Sequence, residues 1–131
     1  MAKKPIVSLK NYGIYSKWNS QSKEIPELIK YTDIIPAELE IEFGYILHIQ
    51  KAKGSLIKFI IDHPPFTNDS DEIAPPFEGQ QYIQSNDYYF FLGDTLWAPL
   101  EDKIGKWRLR SYIDKEIIAD KTLIIESKSD E

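Results

Sequence analysis

Residues 105–125 read GKWRLRSYIDKEIIADKTLII, and their reading decides the fold. Trp107, Leu109 and Ile113 fall at odd positions, with Lys106, Arg108 and Arg110 between them. That period of two marks a strand with one buried face. Asp114-Lys115 stands where the chain would turn, and Ile118, Leu123 and Ile125 are the inward residues of a second strand. The stretch therefore reads as the closing hairpin of a small β-sandwich, with Trp107 as the largest single block of its core.

Upstream, Gly93–Lys103 is a connection holding Trp97 and Pro99, and Gln81–Leu92 reads as a strand. Its run Tyr88-Tyr89-Phe90-Phe91 is of the kind buried on both faces or against an edge. Residues 62–79, DHPPFTNDSDEIAPPFEG, hold four of the eight prolines and no sustained periodicity. Proline denies hydrogen bonds to a strand ladder, so a long loop is expected. Loops this long in compact domains are functional more often than short ones. Before it, Ile41, Phe43, Tyr45, Leu47 and Ile49 alternate with Glu40, Glu42, Gly44, His48 and Gln50, while Ile46 is out of pattern. Lys51–Gly54 reads as a hairpin turn whose glycine supplies a positive φ, and Leu56–Ile61 as the returning strand. Residues 24–35 read as one strand stopped by Pro36. In residues 5–18, Val7 and Leu9 share one phase and Tyr12 and Ile14 the other; Gly13, near the slip, points to a bulge or bend.

The result is about seven strands and no convincing helix: an all-β, immunoglobulin-like antiparallel sandwich without a disulfide. The chain has 131 residues, which argues for one domain over 1–131 with 1–4 and 127–131 as loose tails. It has no cysteine, so thiolate metal sites and cysteine nucleophiles are excluded. The net charge is −5, and Lys106, Arg108 and Arg110 form the only basic row, which argues against nucleic acid. No segment approaches the roughly 20 apolar residues of a membrane span, so no membrane contact and a cytoplasmic setting are expected.

Several short motifs resemble an uncharacterised family of bacterial proteins of about 130 residues. They are Tyr12-Gly13-Ile14-Tyr15, Ile35-Pro36, Phe43-Gly44-Tyr45, His63-Pro64-Pro65 and Gly105-x-Trp107. The resemblance spans most of the chain. It implies an immunoglobulin-like sandwich and brings no catalytic residues with it.

His63, in Asp62-His63-Pro64-Pro65-Phe66, could serve as a general base, but adjacent residues on an extended chain face opposite ways, so Asp62 is poorly placed to orient it. His48 reads as a surface residue, and two lone histidines make a poor zinc site. Asn68-Asp69-Ser70-Asp71-Glu72 offers oxygens for calcium but lacks the loop pattern that calcium sites use. Glu38, Glu40 and Glu42 read as one outward strand face that could meet Lys106, Arg108 and Arg110. Trp18, Trp97, Tyr82, Tyr88 and Tyr89 could stack on sugars or simply fill the core margin. No phosphate loop, Gly-x-Ser-x-Gly or His-Glu-x-x-His occurs. The expectation is a non-enzymatic module that binds a protein partner or a second copy of itself, without catalytic residues, metal or cofactor. Its contacts would be His63, Phe66, Asp69, Asp71 and Trp97. A carbohydrate-binding module is the alternative, and a small hydrolase using His63 the third reading.

Overall fold

The computed structural model describes residues 5–16, 25–65 and 75–127. Among the described residues nine strands run in chain order: β1 (Ile6–Tyr15), β2 (Leu28–Tyr31), β3 (Ile34–Pro36), β4 (Glu42–Gln50), β5 (Leu56–Asp62), β6 (Phe77–Tyr82), β7 (Asp87–Thr95), β8 (Gly105–Ile113) and β9 (Glu116–Glu126). They form a four-stranded sheet, β2-β1-β4-β7, packed on a five-stranded sheet, β3-β9-β8-β5-β6. Neighbours are antiparallel except β3 and β9, which run parallel. One 3₁₀ turn, Glu101–Lys103, precedes β8, and no helix among the described residues is long and apolar enough to cross a membrane.

The closing hairpin is as its sequence predicts. Asp114 and Lys115 have φ of 50° and 70°, the pair of positive values that a two-residue hairpin turn requires. Trp107, Leu109, Ile113, Leu123 and Ile125 are buried, and Ile118 packs against the same core. Trp107 stands edge-on to Phe43 of the facing sheet, with ring centroids 5.2 Å apart. Its indole Nε1–H donates to the Lys103 carbonyl at 2.8 Å, which satisfies the one polar atom of the ring.

Two expected strands are each divided in the structure, which is why seven become nine. Residues 24–35 split at Thr32, whose hydroxyl accepts from Ile34 N–H at 3.0 Å. That local bond offers the backbone an alternative to the ladder, and the chain leaves one sheet for the other. Likewise Ser85 Oγ donates to the Asp87 carbonyl at 2.9 Å, and 83–86 becomes a crossing between sheets. β6 therefore ends at Tyr82, and it begins at Phe77, inside the expected loop. The expected hairpin at Lys51–Gly54 is also a crossing, because β4 and β5 lie in different sheets. The two crossings hold each other: Lys51 N–H donates to Asn86 O, Gly54 N–H to Ile83 O, and Ile83 N–H to Ser55 O.

The phase slip in β1 comes from a bulge between Leu9 and Asn11, not from Gly13. Gly13 instead aligns with Gly44 and Gly93 across β1, β4 and β7. A Cβ at Gly44 would stand 2.1 Å from the Leu92 carbonyl oxygen, so this row lets the backbones bend together where no side chain fits. Ile46 breaks the alternation of β4 because the outer face of that sheet is covered as well. It forms a second small core with Tyr15 and Phe91, under Ile25 and Leu28.

Candidate functional site

The connections at one end of the sandwich converge because β4, β8 and the ends of β5 and β7 all reach it. Glu40 N–H donates to Leu96 O and Leu96 N–H to Ile41 O, which fastens the turn before β4 to the strand leading out of β7. Leu96 is buried, so Trp97 is held outward, 55% exposed, and Leu39 on the adjoining turn is 57% exposed. Leu39 was not among the expected contacts. Its position beside Trp97 depends on a pairing between segments more than fifty residues apart, which periodicity does not reveal.

His63 follows β5 directly. Its Nδ1 lies 2.8 Å from the Pro64 carbonyl and its Nε2 2.8 Å from the Pro75 carbonyl. A carbonyl oxygen only accepts, so whichever ring nitrogen carries hydrogen donates to the proline carbonyl it faces. The ring rests near Phe77 (4.7 Å) and Trp107 (5.6 Å). His63 thus joins the residues that follow β5 to those that precede β6, over the core tryptophan. Pro64 closes on Gly105, where a Cβ would meet Pro64 Cγ at 2.9 Å. Asp62 faces the other way and accepts from Arg110 Nη2 at 2.5 Å, as strand alternation requires.

Asp94, at the end of β7, is a perturbed acid of this region. Burial raises its pKa; the Thr95 N–H and the charges of His63 and Lys103 pull it back only in part. Thr95 N–H donates to Asp94 Oδ1 at 2.8 Å. Lys103 Nζ donates to Asp102 Oδ1 at 2.8 Å and to the Pro99 carbonyl at 3.0 Å.

The structure brings His63 and Trp97 to the same end of the molecule. Phe66, Asp69 and Asp71, with Trp18 and the possible calcium loop, lie outside the described residues. The expected acidic face is not one. Glu38 and Glu40 precede β4, with Glu40 at φ 64°, while Glu42 is 7% exposed and accepts from Thr95 Oγ1. The aromatic platform is not one either. Tyr88 accepts from the Gln81 amide across the open side of the sandwich, whereas Tyr89 stacks on His48 at 4.6 Å on the outside of the other sheet. Tyr82 lies on β6 and Trp97 at the loop end.

The outer face of the five-stranded sheet divides in two. Toward the loop end, Arg108 makes two hydrogen bonds to Asp120, at 2.8 and 2.6 Å, and Arg110 is held by Asp62. Two of the three cations expected to meet Glu38–Glu42, Arg108 and Arg110, are therefore paired within their own sheet. Toward the hairpin end lies a groove of about 610 Å³. Register sets its cross-strand rows: Gln80, Lys58 and Tyr112 stand opposite one another on β6, β5 and β8, with Glu78 opposite Ile60 in the next row. Asp114 and Lys115 of the hairpin turn, Leu56 and Phe59 of β5 and Gly79 of β6 complete the lining.

Comparison with known proteins agrees with this architecture. The crystal structure of an immunoglobulin-like protein from Pseudomonas aeruginosa matches with a TM-score of 0.73, over 92% of this chain and 97% of that one. The identity is 18%, so the likeness carries the fold alone. No curated protein matches the chain. A family model described as a domain of unknown function, DUF3859, matches residues 3–125. That match takes in both sheets and every residue of the loop end, and the chain belongs to the DUF3859 family of immunoglobulin-like sandwiches.

Proposed function

We propose that this domain is a non-enzymatic binding module that meets a protein partner at its loop end, with Trp97 as the anchor. The observation that carries the reading is the exposure of Trp97, 55%, beside Leu39, 57%, on a platform fixed by two backbone hydrogen bonds. Tryptophan is enriched among the few residues that dominate binding energy. A platform that is already ordered loses little further freedom when a partner docks. His63 supports the same reading, since ring nitrogens turned to proline carbonyls suit a clasp on the loop stems better than a proton carrier. The proposal takes the cytoplasm as the setting.

The test is a gentle pull-down from the native host with wild-type protein and Trp97→Ala, read by native mass spectrometry alongside the purified chain alone. A defined protein, or a second copy, retained by wild type and lost from the variant is the expected result. Equal retention by both would remove Trp97 from the reading, and a bare monomer from both baits would overturn the reading itself.

A further inference from the structure

We propose that the groove on the outer face of the five-stranded sheet binds a neutral oligosaccharide, at a surface separate from the Trp97 end. The first support is a contrast within one sheet face. Asp62, Arg108, Arg110 and Asp120 are all locked in ion pairs. Lys58, Glu78, Gln80, Tyr112, Asp114 and Lys115 line the groove and make no side-chain hydrogen bond or ion pair with other described residues. No other described residue occupies their donors and acceptors.

The second support is the balance of that set. Lys58 and Lys115 are cationic, Glu78 and Asp114 anionic, and the lining charges cancel. An anion would meet two carboxylates and a cation two ammonium groups. An apolar ligand would strip water from six polar side chains and return no hydrogen bonds, which is costly. A hydroxyl both donates and accepts, so a chain of hydroxyls can serve ammonium, carboxylate, amide and phenol alike. Leu56, Ile60 and the Tyr112 ring offer apolar surface for the C–H faces of sugar rings. A second copy of this chain would set one concave surface against another and leave the groove unfilled. A polyol chain matches the charge, the hydrogen-bonding stoichiometry and the apolar strip together.

The experiment is a titration of ¹⁵N-labelled full-length protein with cellohexaose, xylohexaose, mannohexaose, maltohexaose and laminarihexaose in turn, with an uncharged hexapeptide as control. At least one sugar is expected to shift the amides of Lys58, Gly79, Gln80 and Tyr112 saturably and to leave Trp97 unmoved. Tyr112→Ala and Gln80→Ala are each expected to weaken that binding by about tenfold, the equivalent of one good contact. Both side chains lie on the outer face, and the variants' own spectra report whether they fold. The proposal is overturned by no shift with any of the sugars at roughly 10 mM, well above the weakest affinities usually counted as binding. It is equally overturned by shifts centred on Trp97, by affinities indifferent to both substitutions, by a response to the peptide and not the sugars, or by shifts that track a dimer. A failure confined to the groove leaves the Trp97 reading standing, since the two surfaces are tested by different variants, whereas sugar shifts centred on Trp97 would count against a protein anchor there as well.

Discussion

Tyr45 and Ser111 meet inside the core, one from each sheet, and share a hydrogen bond of 2.5 Å between two fully buried side chains. Burial raises the Tyr45 pKa, with the Ser111 bond acting weakly the other way, so the phenol stays protonated. The pair is a polar tie between the two sheets among the aliphatic and aromatic contacts of the interior, and its worth lies in the cost of breaking it. Tyr45→Phe leaves a serine hydroxyl buried without a partner, which costs about 1–3 kcal/mol. Ser111→Ala strands the phenol in the same way. Urea denaturation of both single variants and the double should show the double losing clearly less than the sum. Additive losses would mean that water or relaxation satisfies each group separately.

At the scale of the strand, the glycine row Gly13–Gly44–Gly93 is the feature most exposed to a single change. Gly44→Ala drives a methyl to 2.1 Å from backbone, which cannot rotate away. The expected loss lies at or above the top of the usual single-substitution range, about 3 kcal/mol or more. Gly54→Ala is the comparison: nothing lies within 4 Å of its Cβ, and only its φ of 88° opposes a side chain. That costs about 1–2 kcal/mol. Thermal melts that rank the two variants the other way would mean that the row bends freely and its glycines serve something else. None of this register is visible in one dimension. β4 and β8 could be read because each keeps its alternation, β9 keeps it from Leu123 to Ile125 but slips at Ile118, and the odd one out in β4, Ile46, marked a second buried face without saying what covered it. β2 and β3 merged in the reading because Ile and Tyr on both sides of Thr32 favour strand, and the break comes from a hydroxyl that bonds two residues on. Ser85-Asn86-Asp87 was the missed signal in the other merged strand, three turn-forming residues in a row. His63 and Trp97 were legible as loop residues. The groove was not, because Gln80, Lys58 and Tyr112 are neighbours only once β5 has paired with both β6 and β8.

For the molecule as a whole, two of the described carboxylates pull stability in opposite directions as pH changes. Asp94 has its pKa raised by burial, so the folded state holds that proton more tightly than the unfolded chain does. Its contribution is favourable at low pH and is lost as pH rises from the unfolded value through the raised folded one. Asp120 is the opposite case: the hydrogen bonds from Arg108 lower its pKa. Its contribution is present above the unfolded value and is lost as pH falls through the lowered one. Asp120 lies at the surface, where solvent screens such a pair, so the buried acid sets the larger slope. Asp94→Asn keeps an oxygen to accept from Thr95 N–H and removes the charge. It should therefore raise the melting temperature at pH 7 and change it little at pH 3, where the wild-type acid is already protonated. Asp120→Asn should lower it slightly at pH 7, with the difference closing toward pH 2. Melting curves of the three proteins between pH 2 and 8 separate the two effects. An Asp94→Asn variant less stable than wild type at neutral pH would mean that the carboxylate is held as a partner of His63 and Lys103, and that the loop end depends on its charge.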